Sequence, residues 1–243
     1  MRSGWCGILC LAWLASAVPA LASGLQVSPT TLTLPAERNA DGLWLSNTGN
    51  SVLRAQLRVY RWTQENAEEK LEPTRDLAIS PPMLELPPGE RQLVRLIRLG
   101  APPQEAETSY RVIVDELPPA AAPNSSGLQF VLRYSIPVFL SSAGEAAPAP
   151  VLHATLDRSQ PDVEVEISNS GGLRAQIADL AYVDAGGRRH LLAPGLLGYV
   201  LPGQRMRWPL ARPSAQLPPG GTLKARINGE AEEQSLSLAS AAR

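Results

Sequence analysis

Catalysis and metal binding need particular side chains within reach of one another, and this 243-residue chain supplies few of them. Its two histidines, His153 and His190, both fall in the second half, and neither stands beside a serine or aspartate motif. Both read as surface or turn histidines. Met83 and Met206 are isolated, so no thioether or imidazole cluster suits copper. The glycine pairs beginning at Gly171, Gly186 and Gly220 sit among turn residues rather than in a phosphate-cradling loop. Asp115 and Glu116 are adjacent, and on a strand they would point to opposite faces, which does not make an acid/base pair. The expectation is therefore a protein that is not an enzyme, with no catalytic residues, no metal and no cofactor.

The arginines carry more information. In "VRLIRL", Arg95 and Arg98 fall on opposite strand faces, and Arg133 interrupts an otherwise apolar run. A strand arginine can simply face solvent. It can also receive a peptide carboxylate, which the guanidinium fork suits. Arg133 and Arg95 are the candidates for that role, and both readings stay open here.

The elements that would carry these residues are strands. The stretch "SGLQFVLRYSIPVFL", residues 126–140, alternates with period two. Leu128, Phe130, Leu132, Tyr134, Ile136 and Val138 share one face, and Gln129, Val131, Arg133, Ser135, Pro137 and Phe139 share the other. Pro137 cannot donate to a ladder, so it predicts a sheet edge or a bulge. Long apolar edges template aggregation and are usually blunted, which asks for a function. Similar short runs, "LQVSPTTLTL", "DGLWLSNTG", "VLRAQLRVYRW", "ERQLVRLIRL" and "SYRVIVDEL", precede it. Strand-like runs at this spacing, with 23 prolines and 19 glycines as punctuation, predict an all-β sandwich or barrel.

The segment "SSAGEAAPAPV" is small and nearly uncharged, and reads as a linker near residues 142–150. Beyond it come "VLHATLD", "DVEVEISNSGG", "LRAQIADLAYVD", "RHLLAPG", "YVLPGQRMRWPL" and "TLKARING". An internal echo links the halves. "LSNTGNSVLRAQLRVY" matches "ISNSGGLRAQIADLAY", and "LPPGERQLVRL" is loosely matched by "LPGQRMRWPL". Two matches in the same order predict duplicated sandwiches, with Asn-Thr-Gly and Asn-Ser-Gly as equivalent tight turns.

The first residues, "MRSGWCGILCLAWLASAVPALAS", have one early arginine, a short apolar core and "ALA" ending at Ala22. That layout predicts a signal peptide over residues 1–22, cleaved after Ala22, and an exported product with no membrane insertion. The core is too short for a comfortable membrane span. Both cysteines, Cys6 and Cys10, lie inside it, so the mature chain is held by packing alone. With 22 basic against 23 acidic residues there is no field that suggests nucleic acid. The two expected domains cover residues 23–143 and 150–236.

Taken together, "VSPTTLTL", "LSNTGN", "RVYRW", "ISPPMLELPPGERQLVRLIRLG", "EAETSYRVIVDELP" and "LQFVLRYSIPVF" resemble the periplasmic pilus-assembly chaperones of the chaperone–usher pathway, the PapD-like family. The resemblance spans nearly the whole mature chain. It implies two immunoglobulin-like sandwiches in a boomerang arrangement, located in the periplasm, that capture pilin or fimbrial subunits and pass them to an outer-membrane usher. It also implies that Leu128, Phe130 and Leu132 are donor residues inserted into the open groove of a subunit by β-strand addition. Self-association of the free form remains open.

This chain departs from the best-known members. Two basic anchors for a subunit's C-terminal carboxylate would align with Thr31 and Pro137, neither of them a cation. Of the family's interdomain salt bridge only Glu116 matches, with Ser141 and Gly229 at the other positions. "RYSIPVF" looks like the divergent archaic branch. The competing reading is an exported two-domain immunoglobulin-like structural or adhesive module. Such a module would usually show a disulfide and an N-terminal donor extension, whereas the mature chain enters a strand at once. A secreted hydrolase is a distant third.

Overall fold

The computed structural model describes residues 24–118, 130–144, 147–159, 161–213, 217 and 220–238. The expected signal segment with its cleavage point after Ala22, and the donor candidate Leu128, lie outside these residues.

All the described regular elements are strands. The first ten are β1 (Leu25–Ser28), β2 (Leu32–Leu34), β3 (Ala40–Asn47), β4 (Leu53–Glu65), β5 (Glu68–Pro73), β6 (Leu77–Ser80), β7 (Met83–Leu86), β8 (Arg91–Arg98), β9 (Thr108–Leu117) and β10 (Arg133–Leu140). They form two facing sheets, one ordered β1-β3-β8-β6 and the other β2-β10-β9-β4-β5, with β7 also on β4. Alternation dictates what lies between them. Leu43, Leu45, Val94 and Leu96 of the first sheet meet Leu57, Val112, Val114, Ile136 and Val138 of the second in one core. Burying each large apolar side chain in full stabilises the fold by about 1.5–3 kcal/mol before entropy is counted.

Seven further strands build the second sandwich: β11 (Leu152–Asp157), β12 (Asp162–Asn169), β13 (Ala175–Val183), β14 (Arg189–Val200), β15 (Arg205–Pro213), β16 (Thr222–Ile227) and β17 (Glu233–Leu238). Their order is β14-β13-β16-β17-β11-β12-β15, where the short parallel pairing of β11 with β17 joins the two layers. Val163, Val165, Ile167, Ile177, Leu180 and Leu223 are among the residues of its own core. The chain is thus a pair of immunoglobulin-like β-sandwiches.

The internal echo has a physical meaning. Asn47 donates from Nδ2 to the carbonyls of Ser51 and Leu86, and its Oδ1 accepts the Gly49 N–H. Asn169 repeats this with Leu173, Val200 and Gly171. Each asparagine is 2 % exposed. These are not hairpin turns, because β3 and β4 belong to different sheets. The buried amide instead satisfies the backbone where the chain crosses between layers.

Three strand boundaries differ from expectation. "LQVSPTTLTL" divides into β1 and β2 in different sheets, since Pro29 offers no N–H with which to continue the first ladder. "RHLLAPG" and "YV" merge into the single strand β14. Strand β5 has all six residues exposed and so no apolar alternation to read. It exists because its backbone pairs with β4 from Tyr60↔Pro73 to Glu65↔Glu68.

Candidate functional site

Strand β10 is where the apolar run meets solvent. It runs antiparallel to β9 in an unbroken register from Arg133↔Asp115 to Leu140↔Thr108. On its other side β2 covers only Val138 to Leu140. Among the described residues, the segment from Arg133 to Pro137 therefore has one strand neighbour and one open edge.

Backbone polarity follows from one bond. The Leu132 carbonyl accepts the Glu116 N–H at 2.9 Å, and in an antiparallel ladder bonded and non-bonded pairs alternate. Tyr134, Ile136, Val138 and Leu140 accordingly turn their backbone groups toward β9, while Arg133, Ser135 and Pro137 turn theirs to the open side. Pro137 thus stands where its missing N–H breaks no bond to β9, and the unbroken register makes this an edge rather than a bulge.

Side chains divide the same strand along its length. Ile136, Val138 and Leu140 are buried in the first core, and Tyr134 packs against it. Two and four residues upstream of Tyr134 on the same alternation, Leu132 and Phe130 are 36 % and 68 % exposed. Val131, on the other alternation, is also exposed. Leu132 and Phe130 precede β10 itself, and there the apolar alternation of the sequence runs out into solvent.

Arg133 lies at this exposed end and pairs through Nε with the Asp115 carboxylate. Arg58 donates from Nη2 to the other oxygen of Asp115 at 2.5 Å. Burial pushes the Asp115 carboxyl up, but the hydrogen bonds from Arg133 and Arg58 outweigh it and hold it below the usual aspartate range. Arg95 is exposed on β8, in the opposite sheet. The structure therefore does not bring Arg95 and Arg133 together. Thr31 is exposed between β1 and β2, and Pro137 is buried opposite Arg111 of β9.

Glu116, expected at the interdomain contact, has a different place. Its carboxylate accepts the Leu132 N–H at 3.0 Å, which holds the start of the exposed segment against β9. At the other end of that strand, about 30 Å away for nine extended residues, Glu107 makes the contact between the sandwiches. Glu107 pairs with Arg174 of the second sandwich, accepting from both its backbone and its guanidinium. Burial pushes the Glu107 carboxyl up, and the neighbouring Arg174 only partly offsets that.

The contact has an aromatic centre that the sequence reading missed. Trp62, Phe139, Tyr199 and Leu201 form a buried cluster drawn from both sandwiches. Trp62 and Tyr199 meet edge to face at 5.4 Å, and the guanidinium of Arg111 lies 3.7 Å from the Trp62 ring centroid. Trp62 and Phe139 each sit on the strand face opposite the core positions. On those faces Trp62 and Phe139 follow polar positions such as Arg58 and Ser135, so the alternation gave no sign of what would cover them.

His190 Nε2 donates to the Asp184 carboxylate at 3.0 Å, a pairing that the spacing "DAGGRRH" did not suggest. The same aspartate also accepts the N–H groups of Gly186 and Arg188, so it organises the β13–β14 turn. Among the described residues, no group of three or more His, Cys, Asp and Glu could hold a metal ion.

Residues 24–144 match the family of pili and flagellar-assembly chaperones described by the PapD N-terminal domain. The chain belongs to the PapD-like family of pilus-assembly chaperones. Solved structures agree with the PapD-like fold across both sandwiches. The chain is similar to the chaperone–tip adhesion subunit pre-assembly complex CsuC–CsuE, from the archaic chaperone–usher Csu pili of Acinetobacter baumannii, at 24% identity and TM-score 0.73. That match covers 89% of this chain and 99% of the other. It is also similar to the Salmonella enterica SafB chaperone in complex with the SafA pilin (17% identity, 89% and 97% covered, TM-score 0.60). A third likeness is the Pseudomonas aeruginosa CupB2 chaperone (16%, 88% and 100%, 0.59). No curated protein matches the chain.

Proposed function

We propose that this protein is a periplasmic chaperone that captures pilin subunits by lending them the exposed end of β10. One observation carries the reading: the apolar alternation that buries Ile136 and Val138 in the first core runs on in the sequence to Leu132 and Phe130, which lie just ahead of β10 and are exposed. Leu128, two residues further on, extends the same alternation. Residues two apart project to one side about 6.6 Å from each other, which is the spacing that successive pockets of an open groove require. The outward backbone groups of Arg133 and Ser135 supply the ladder, and the side chains supply specificity. The proposal includes export with cleavage after Ala22 and delivery of the captured subunit to an outer-membrane usher. Solved relatives of the fold include chaperones bound to a tip adhesion subunit and to a pilin, which supports this partner class. The archaic branch is supported by "RYSIPVF" and by the lack of cations at Thr31 and Pro137.

The deciding experiment is Phe130→Glu, with thermal melting of the isolated protein and pull-down of a pilin subunit measured together. Normal melting with lost capture is the expected result. A variant that unfolds puts Phe130 in this protein's own core, and one that folds and still captures removes the strand as the binding edge.

A further inference from the structure

A pocket of about 340 Å³ opens at the end of the first sandwich, beside the start of β9 and the end of β10, and Arg61, Arg75 and Arg98 line it. One carboxylate, Asp76, shares the wall and is already engaged. It accepts from the Tyr110 hydroxyl at 2.9 Å and from Arg61 Nη1 at 3.0 Å. Arg98 is held by a bond from Nη2 to the Ala36 carbonyl at 2.8 Å. Its Nε and Nη1 are buried with no hydrogen-bond partner, and so is the hydroxyl of Thr108 on the same wall. Among the described residues, no carboxylate lies within ion-pair distance of Arg75 or Arg98.

A guanidinium withdrawn from water is strongly unfavourable unless it meets an acceptor or an opposite charge. Arg98 is in that position at Nε and Nη1, while Arg75 stands exposed at the rim without a counter-charge and Arg61 has a carboxylate partner shared with Tyr110. Leu99, Ala101 and Leu140 complete the wall with apolar surface, Leu140 buried at its base and Leu99 exposed at its mouth. We propose that the pocket is an anion site, which takes a small oxyanion (an inorganic phosphate or an organic carboxylate) between Arg98 and Arg75, with Thr108 as a further donor. The site lies apart from the exposed end of β10 and does not rest on the strand-donor reading.

Thermal unfolding of the mature protein tests this with two probes, inorganic phosphate and sodium butyrate, each against sodium chloride at matched ionic strength so that screening is held constant. A bound anion raises the midpoint with concentration in proportion to RT ln(1 + [L]/Kd), and the expected result is such a rise for at least one probe. Phosphate alone identifies a tetrahedral oxyanion, and butyrate alone identifies a carboxylate with an apolar body. Arg75→Gln, at the exposed rim, should weaken the effective probe by about tenfold or more, as loss of a charge-assisted bond does. Arg98→Gln should abolish the rise. If Arg98→Gln does not fold, Arg75→Gln decides alone. Absence of a rise with both probes, or wild-type affinity in Arg75→Gln, overturns the proposal.

Discussion

The side-chain amide of Gln64 bridges the backbone on either side of Val200: Nε2 donates to the Tyr199 carbonyl at 2.8 Å, and Oε1 accepts the Leu201 N–H at 2.9 Å. It acts as one rung of a ladder supplied by the first sandwich to the second. Gln64 is 1 % exposed, so water cannot replace it. Gln64→Leu keeps the bulk and removes both bonds. Each orphaned buried group should cost about 1–3 kcal/mol, read as a drop in unfolding free energy by chemical denaturation. A change smaller than about 0.5 kcal/mol would mean that the site is ordinary surface.

The chain's two phenylalanines make a second test, because they lie on one run with opposite fates. Phe139 is fully buried between the sandwiches and Phe130 is mostly in water. Phe139→Ala should destabilise by about 3–5 kcal/mol, and Phe130→Ala by no more than about 0.5. At about 2–4 °C per kcal/mol for a chain of this size, calorimetry separates the two without ambiguity. Equal losses would show that Phe130 is also packed.

Two buried carboxylates should tilt the pH profile in opposite directions. Burial raises Asp115, yet its bonds to Arg133 and Arg58 bring it below the ordinary value of 3.8. Its contribution is therefore present above pH 3.8 and lost as pH falls below it toward the folded value. For Glu107 burial prevails over Arg174, and the folded value lies above 4.5. Its contribution is complete below pH 4.5 and lost as pH rises through the folded value. Unfolding free energies across this range should show Asp115→Asn without its share of the acid-side decline, and Glu107→Gln without its share of the decline above 4.5. Profiles parallel to wild type in both variants would refute the assignment.

For the carboxylate of a captured subunit we propose Arg133 as the receiver, since it stands on the exposed end of β10 while Arg95 occupies the other sheet. Arg133→Ala should weaken capture by about 1.5–3 kcal/mol, the worth of a hydrogen bond to a charged group. Arg95→Ala should capture as wild type does. The measurement is subunit titration against each variant, and unchanged affinity in Arg133→Ala would reduce that arginine to a partner of Asp115 alone.

What the sequence by itself determined is whatever depends on alternation along one strand or on a motif with its own geometry. Leu43 and Leu45, or Val163, Val165 and Ile167, announce a strand with one buried face because side chains two apart share a side. The paired Asn-x-Gly motifs announced duplication, since Asn47 and Asn169 carry their hydrogen bonds in their own side chains. Only the tertiary structure decided how far β10 leans on its own domain. The triplet Leu128, Phe130, Leu132 has the same pattern as Ile136, Val138, Leu140, and what separates Phe130 and Leu132 from the latter is where the facing sheet ends. The contact between the sandwiches was equally hidden. Glu107 and Arg174, or Gln64 and Tyr199, are far apart along the chain, and neither partner's type predicts the other. Hydrogen bonds and ion pairs act over a few ångströms, so a residue's neighbours along the chain say little about the partners that folding brings beside it.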